Sequence, residues 1–182
     1  MLENWDKSFE MVIAHEGGFT NDQRDSGNHL PDGRQGCTML GCTQANWEAY
    51  VGHKVSQDDM KKLTKDDVKP LYKKNYFDAV SGDLLPTGLD YAAFDFAINA
   101  GPGASRKMIQ RALGVTADGA FGPMTMAAIQ KADPKELMQK FSDAKTAFYK
   151  SLSNYPVYGA GWLKRVADVQ TVANKMIGQQ NA

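Results

Sequence analysis

Apolar residues recur every three or four positions through most of the chain, and no segment sustains the alternation of a strand. Leu2, Trp5, Phe9, Val12 and Ile13 share one helical face, and Glu16 falls on that face too. Gly17 and Gly18 then stop the helix, so it is predicted over residues 2–16. Thr43 can cap a short helix through Tyr50 that ends at Gly52. Ser56 with Asp59, and Thr64 with Asp67, read as capping boxes opening two further helices, the second carrying Val68, Leu71, Tyr72 and Tyr76. Leu89 to Ala100 is apolar nearly all round, which marks a buried central helix, and Gly101-Pro102-Gly103 breaks it. Ala104 to Leu113 is helical with Met108, Ile109, Ala112 and Leu113 inward. Asp118-Gly119 predicts a turn, and Pro123 suits the first turn of the next helix. Asp133-Pro134-Lys135-Glu136 is a helix start, followed by a stripe of Leu137, Phe141, Ala144, Phe148 and Leu152. Ser153 to Gly161 reads as a loop, and Trp162, Val166, Val169, Ala173 and Met176 line a last helix.

The fold class is therefore mainly α, with at most a small β-hairpin near residues 18–42. Two helical lobes are expected, residues 1–88 and 89–182, with the central helix joining them. A cleft between lobes is a usual place for a ligand.

Composition narrows the function classes. Lys and Arg balance Asp and Glu at 21 each, so no net charge draws the chain to nucleic acid. The lysines between 61 and 74 interleave with aspartates, which reads as a solvated helical face or as a weak attraction for a polyanionic surface. No apolar run reaches the roughly 20 residues of a membrane span. The acidic, amphipathic N-terminus does not read as a signal peptide. Synthesis in the cytoplasm is expected, as a monomer. Cys37 and Cys42 could pair only in an oxidising compartment, and so short a loop strains a disulfide. Histidines 15, 29 and 53 lack metal-ligand spacing, and neither metal nor cofactor is expected. Cys37 or Cys42 with His29 or His53 forms no ordered triad, and no G-x-S-x-G is present.

The irregular stretch from His15 to Thr43 carries the candidate chemistry. Glu16, at a helix C-terminus and on the apolar face, is in a setting that disfavours the carboxylate form, as a general acid requires. Nine residues later Asp25 lies among Asn, Ser and Gly, a wet polar setting. One protonated carboxyl beside one carboxylate is the arrangement that splits glycosidic bonds, and a hydroxyl of Thr38 or Thr43 could hold the attacking water. Asp95 and Asn99, one turn apart in the central helix, either tie it to its neighbours or line a cleft.

These residues resemble a known family. Glu16-Gly-Gly-Phe19, Asp25-Ser-Gly27 and Gly36-Cys-Thr-Met-Leu-Gly-Cys-Thr43 look like the signature of glycoside hydrolase family 108, which comprises phage-type endolysins and related bacterial muramidases. Phe94-Asp-Phe-Ala-Ile-Asn-Ala-Gly101, Asp118-Gly119 with Gly122-Pro123 and Thr125, and Gly161-Trp162 with Arg165-Val166 resemble its later motifs. The resemblance covers nearly the whole chain. It implies a lysozyme-like fold and hydrolysis of the β-1,4 bond between N-acetylmuramic acid and N-acetylglucosamine in bacterial peptidoglycan. It also implies a C-terminal part resembling a peptidoglycan-binding segment. Glu16 maps onto the acid, Asp25 onto the second carboxylate and Thr38 onto the family's threonine. The twelve residues between Asp25 and Thr38 make a longer loop than is common in the family, and it contains Asp32, an alternative second carboxylate. Cys42 stands where the family often has Ile or Val, which implies a packing role. An endolysin of this kind would reach the wall through a holin-type pore; a secreted bacterial effector has the same sequence needs. A non-catalytic wall-binding module and a lytic transglycosylase are the competing functions.

Overall fold

The computed structural model describes residues 2–180, and side chains from Asn4 to Gln179. The inward position expected for Leu2 thus lies outside the described side chains. The fold is mainly α and lysozyme-like, with one small antiparallel hairpin. The chain forms two compact units, one spanning Trp5–Asn75, the other running from Tyr76 onward and including the first residues through Asn4.

In the unit spanning Trp5–Asn75, helix α1 (Leu2–Ile13) buries Trp5, Phe9, Val12 and Ile13. It stops one turn earlier than its apolar spacing predicts. The His15 amide donates to the Val12 carbonyl and the Glu16 amide to the Ile13 carbonyl, so the last turn tightens before the glycines are reached. Strands β1 (Thr38–Met39) and β2 (Cys42–Thr43) pair antiparallel, with Thr38 opposite Thr43. Leu40 (φ 51°) and Gly41 (φ 72°) make the two-residue turn between them, both left-handed as a type I′ turn demands. Helix α2 (Gln44–Val51) is capped by the Thr43 hydroxyl and ends at Gly52. Both expected capping boxes are present, Ser56 with Asp59 opening α3 (Gln57–Lys61) and Thr64 with Asp67 opening α4 (Lys65–Tyr72). Tyr76 falls beyond α4, in a wider turn over Lys73–Phe77.

In the other unit, α5 (Leu89–Ala100) is buried from Leu89 to Ala97, as its composition predicts. Against it pack α6 (Pro102–Leu113), α8 (Pro134–Lys150) and α9 (Tyr155–Gln180); α7 (Pro123–Lys131) packs on α6. Two sequence expectations change here. Helix α9 begins at Tyr155, inside the segment read as a loop. Pro156 sits in its first turn, where a missing N–H is harmless, and Gly159 makes room for the Tyr155 ring. The buried face of α8 includes Lys145 and Tyr149 rather than Ala144 and Phe148. Lys145 is 2% exposed because its Nζ lies 2.6 Å from Asp95, itself fully buried on α5. Arg165 of α9 reaches the other oxygen of Asp95 at 2.8 Å, so three helices meet on one carboxylate.

Candidate active site

Glu16 lies in the turn after α1, half-buried rather than on the buried helix face. Its seat is made by the hairpin. A Cβ on Gly41 would stand 2.6 Å from Glu16 Oε2 and 2.7 Å from the Tyr72 hydroxyl oxygen, so both oxygens converge on the space that this glycine leaves open. The Tyr72 hydroxyl also donates to the Leu40 carbonyl at 2.9 Å, fixing the end of α4 to the turn. Gly41 thus serves the left-handed turn and the close approach of the carboxyl together. Tyr72 is expected from sequence only as part of its helix, and neither its place beside Glu16 nor this role of Gly41 is read there; a buried tyrosine, whose hydroxyl needs a partner, is the available signal.

Asp25 is exposed. It caps a short 3₁₀ turn (Ser26–Asn28), where its Oδ1 accepts from the Gly27 amide at 2.9 Å. Gly27 sits between that oxygen and the Thr43 methyl: a Cβ there would stand 3.2 Å from one and 3.3 Å from the other. Glu16 thus lies at the turn, over Gly41, while Asp25 is separated from the Thr43 methyl by Gly27.

Thr38 donates its hydroxyl hydrogen to Asn28 Oδ1 at 2.8 Å, and its backbone pairs with Thr20 as well as Thr43. Asn28, fully buried and missed by sequence reasoning, is the hub of the loop. Its side-chain amide donates to the Asp22 carbonyl, its backbone amide donates to the Asp25 carbonyl, and its carbonyl accepts from Gly36 at 2.7 Å. Thr43 is spent on capping α2, accepting from the Asn46 amide at 3.3 Å.

Asp32 sits in a charged cluster at the far end of the loop. It pairs with Arg34 and Lys54, each at 2.8 Å, while Arg34 also reaches Glu48 at 2.6 Å. Hydrogen bonds from Lys54 and Arg34 hold the Asp32 carboxyl well below the usual carboxylate range. The hydrogen bond from Arg34 brings Glu48 down to about 2, with the Val55 amide and Gln44 adding to it. Cys37 and Cys42 are free thiols. Burial pushes both up, Cys42 to about 12, which leaves each a neutral packing group and not a nucleophile.

The remaining sequence candidates lie in the other unit. Asp95 is the centre of the buried ion triad, and Asn99 is exposed at the C-terminal end of α5, donating to the Asp95 carbonyl. Among the described residues no helix is long and apolar enough to cross a membrane.

Residues 9–101 match the family described as Glycosyl hydrolase 108, and residues 104–167 match one described as "Predicted Peptidoglycan domain". The solved structure of SagA from Brucella abortus is 35% identical, with 97% of each chain covered and a TM-score of 0.83. No curated protein matches the chain. The chain belongs to glycosyl hydrolase family 108, as a glycosyl hydrolase that acts on peptidoglycan.

Proposed function

We propose that the protein is a muramidase, cleaving the β-1,4 bond between N-acetylmuramic acid and N-acetylglucosamine, with Glu16 as general acid. The observation that carries this reading is the seat of Glu16: a half-buried carboxyl held over a glycine turn beside the Tyr72 hydroxyl. Glu16 protonates the glycosidic oxygen as the bond to the anomeric carbon breaks. A second carboxylate then stabilises the oxocarbenium-like charge or activates water.

Asp25 is the better second carboxylate. It is exposed and held at Gly27, which faces Thr43, two residues from the glycine that seats Glu16, whereas Asp32 is paired with Arg34 and Lys54, which lower its affinity for a proton. Asp25→Asn is expected to reduce turnover by about 10²-fold or more, and Asp32→Asn by less than about threefold. Release of reducing ends from purified sacculi measures both, and the reverse order would transfer the role to Asp32.

Gly41→Ala tests the seat itself. The new methyl would push the tips of Glu16 and Tyr72 aside, and φ 72° is strained for alanine. A displacement on the order of 1 Å costs about 10²-fold in rate. Stability should fall by only about 1–2 kcal/mol, because flexible side-chain ends can yield. Thermal melting alongside the sacculus assay separates the two effects.

Mass spectrometry of digested sacculi tests the reaction. Reducing N-acetylmuramic acid ends are expected; 1,6-anhydro ends would make the protein a lytic transglycosylase, and intact sacculi a binding module. We further propose that it acts at the wall as a lysis or antagonism protein.

A further inference from the structure

The loop from Asp22 to Thr38 contains a chain of hydrogen bonds whose direction is set at every link. It starts at the Asp22 carbonyl, which can only accept. Asn28 meets that carbonyl with its side-chain amide nitrogen, which donates at 3.0 Å. This settles which way the amide points. Turned over, its Oδ1 would face the carbonyl oxygen with no hydrogen between them. Oδ1 therefore faces Thr38 and takes the hydroxyl hydrogen of that residue at 2.8 Å. Asn28 is fully buried, so bulk water does not compete for either bond. A hydroxyl has one hydrogen, and that of Thr38 is committed. Any further partner of the Thr38 oxygen has to donate to it.

That polarity suits a water attacking a sugar carbon. Such a water keeps a lone pair for the carbon, so both of its hydrogens have to be accepted. In the proposed hydrolysis one acceptor is the Asp25 carboxylate, which takes the proton as the new oxygen–carbon bond forms. The bond to the leaving sugar breaks at the same time, and its oxygen takes the proton of Glu16. The second hydrogen needs an uncharged acceptor. Thr43, the other hydroxyl on the hairpin, is already engaged as an acceptor by the Asn46 amide at 3.3 Å. Thr38 is half-buried, with its own hydrogen turned into the loop. Asn28 ties the two acceptors together, because its backbone amide donates to the Asp25 carbonyl at 3.0 Å.

We propose that Asn28 is a positioning residue for the hydrolytic water. By holding the Thr38 hydrogen it makes that oxygen an acceptor only, and a water seated there is turned with a lone pair toward the anomeric carbon. The proposal rests on the reading of the protein as a muramidase with Asp25 as base, and it assigns the seat of the water to the Thr38 hydroxyl.

The test is steady-state kinetics on soluble, uncrosslinked glycan strands of peptidoglycan, with melting temperatures measured alongside. Asn28→Leu, of similar volume, removes the acceptor. It is expected to lower kcat by about tenfold and to change KM by less than about twofold. Asn28→Asp keeps an oxygen for the Thr38 hydrogen but loses the donor to Asp22. It should melt no higher than Asn28→Leu and yet turn over about fivefold faster or more. Turnover that follows melting temperature across these two variants would give Asn28 a structural role only and overturn the proposal. Thr38→Val leaves Asn28 in place and removes the acceptor offered to water, so kcat should again fall by about tenfold. A parental kcat in Asn28→Leu or in Thr38→Val would also overturn it. The products of the parent separate this outcome from the broader reading. Reducing ends from the parent, with no loss of kcat in the variants, remove the positioning role alone. With 1,6-anhydro ends or no product from the parent there is no attacking water, and the muramidase reading falls together with the proposal.

Discussion

Glu16→Gln leaves the protein folded and stops it from releasing reducing sugar from sacculi. The substitution keeps the shape of the side chain and the space over Gly41, and removes only the transferable proton. Loss of a general acid costs about 10²–10⁴-fold, and the leaving sugar oxygen has no other proton donor in the proposed reaction. The residue is half-buried and its replacement isosteric, so the melting temperature should move by no more than about 2 °C. Lysis of outer-membrane-permeabilised Gram-negative cells gives a second readout. Wild-type-like lysis by this variant would sink the assignment of Glu16.

Asp95→Asn has the largest expected effect on stability, a loss of about 3–5 kcal/mol. The carboxylate lies fully buried between Lys145, at 2.6 Å, and Arg165, at 2.8 Å. An amide of the same size removes the carboxylate that stands between the Lys145 and Arg165 cations. Burial already pulls the Lys145 ammonium below its ordinary value, with the charge of Asp95 holding it up and that of Arg165 pressing it further down. Lys145→Met should cost less than Asp95→Asn, because Asp95 keeps Arg165 and the new side chain suits an interior. Urea unfolding of both variants tests that order. Equal stability of Asp95→Asn and the parent would mean that the triad contributes nothing net.

What could be read from sequence was what local chemistry decides. The boxes at Ser56 and Thr64, the Asp133 cap and the apolar girth of Leu89 to Ala97 all formed as written, because each involves residues within a few positions. The Glu16 neighbourhood was legible as a motif but not as a place. Its partners Tyr72 and Gly41 are brought in by the hairpin and by α4, and no spacing reports that. Lys145 shows the same limit from the other side. A lysine in an apolar stripe reads as solvent-facing, and only a carboxylate fifty residues away overrules it. The start of α9 was missed because Pro156, Gly159 and Gly161 are breakers by habit, and here all three lie within a helix.

The long loop between Asp25 and Thr38 is fastened in two ways that answer differently to salt. At its far end, beside the backbone bonds between Leu30 and Arg34, stand charges at the surface, with Asp32 35% and Lys54 72% exposed. At physiological ionic strength such attractions are screened over about 8 Å, and over about 3 Å in 1 M salt. Near Asp25 the fastening is Asn28, buried and neutral, whose hydrogen bonds ions do not reach. Rising salt therefore weakens the ion pairs at the remote tip and leaves the hydrogen bonds of Asn28 in place. Brine would slacken the outer ties while the inner ones stay set.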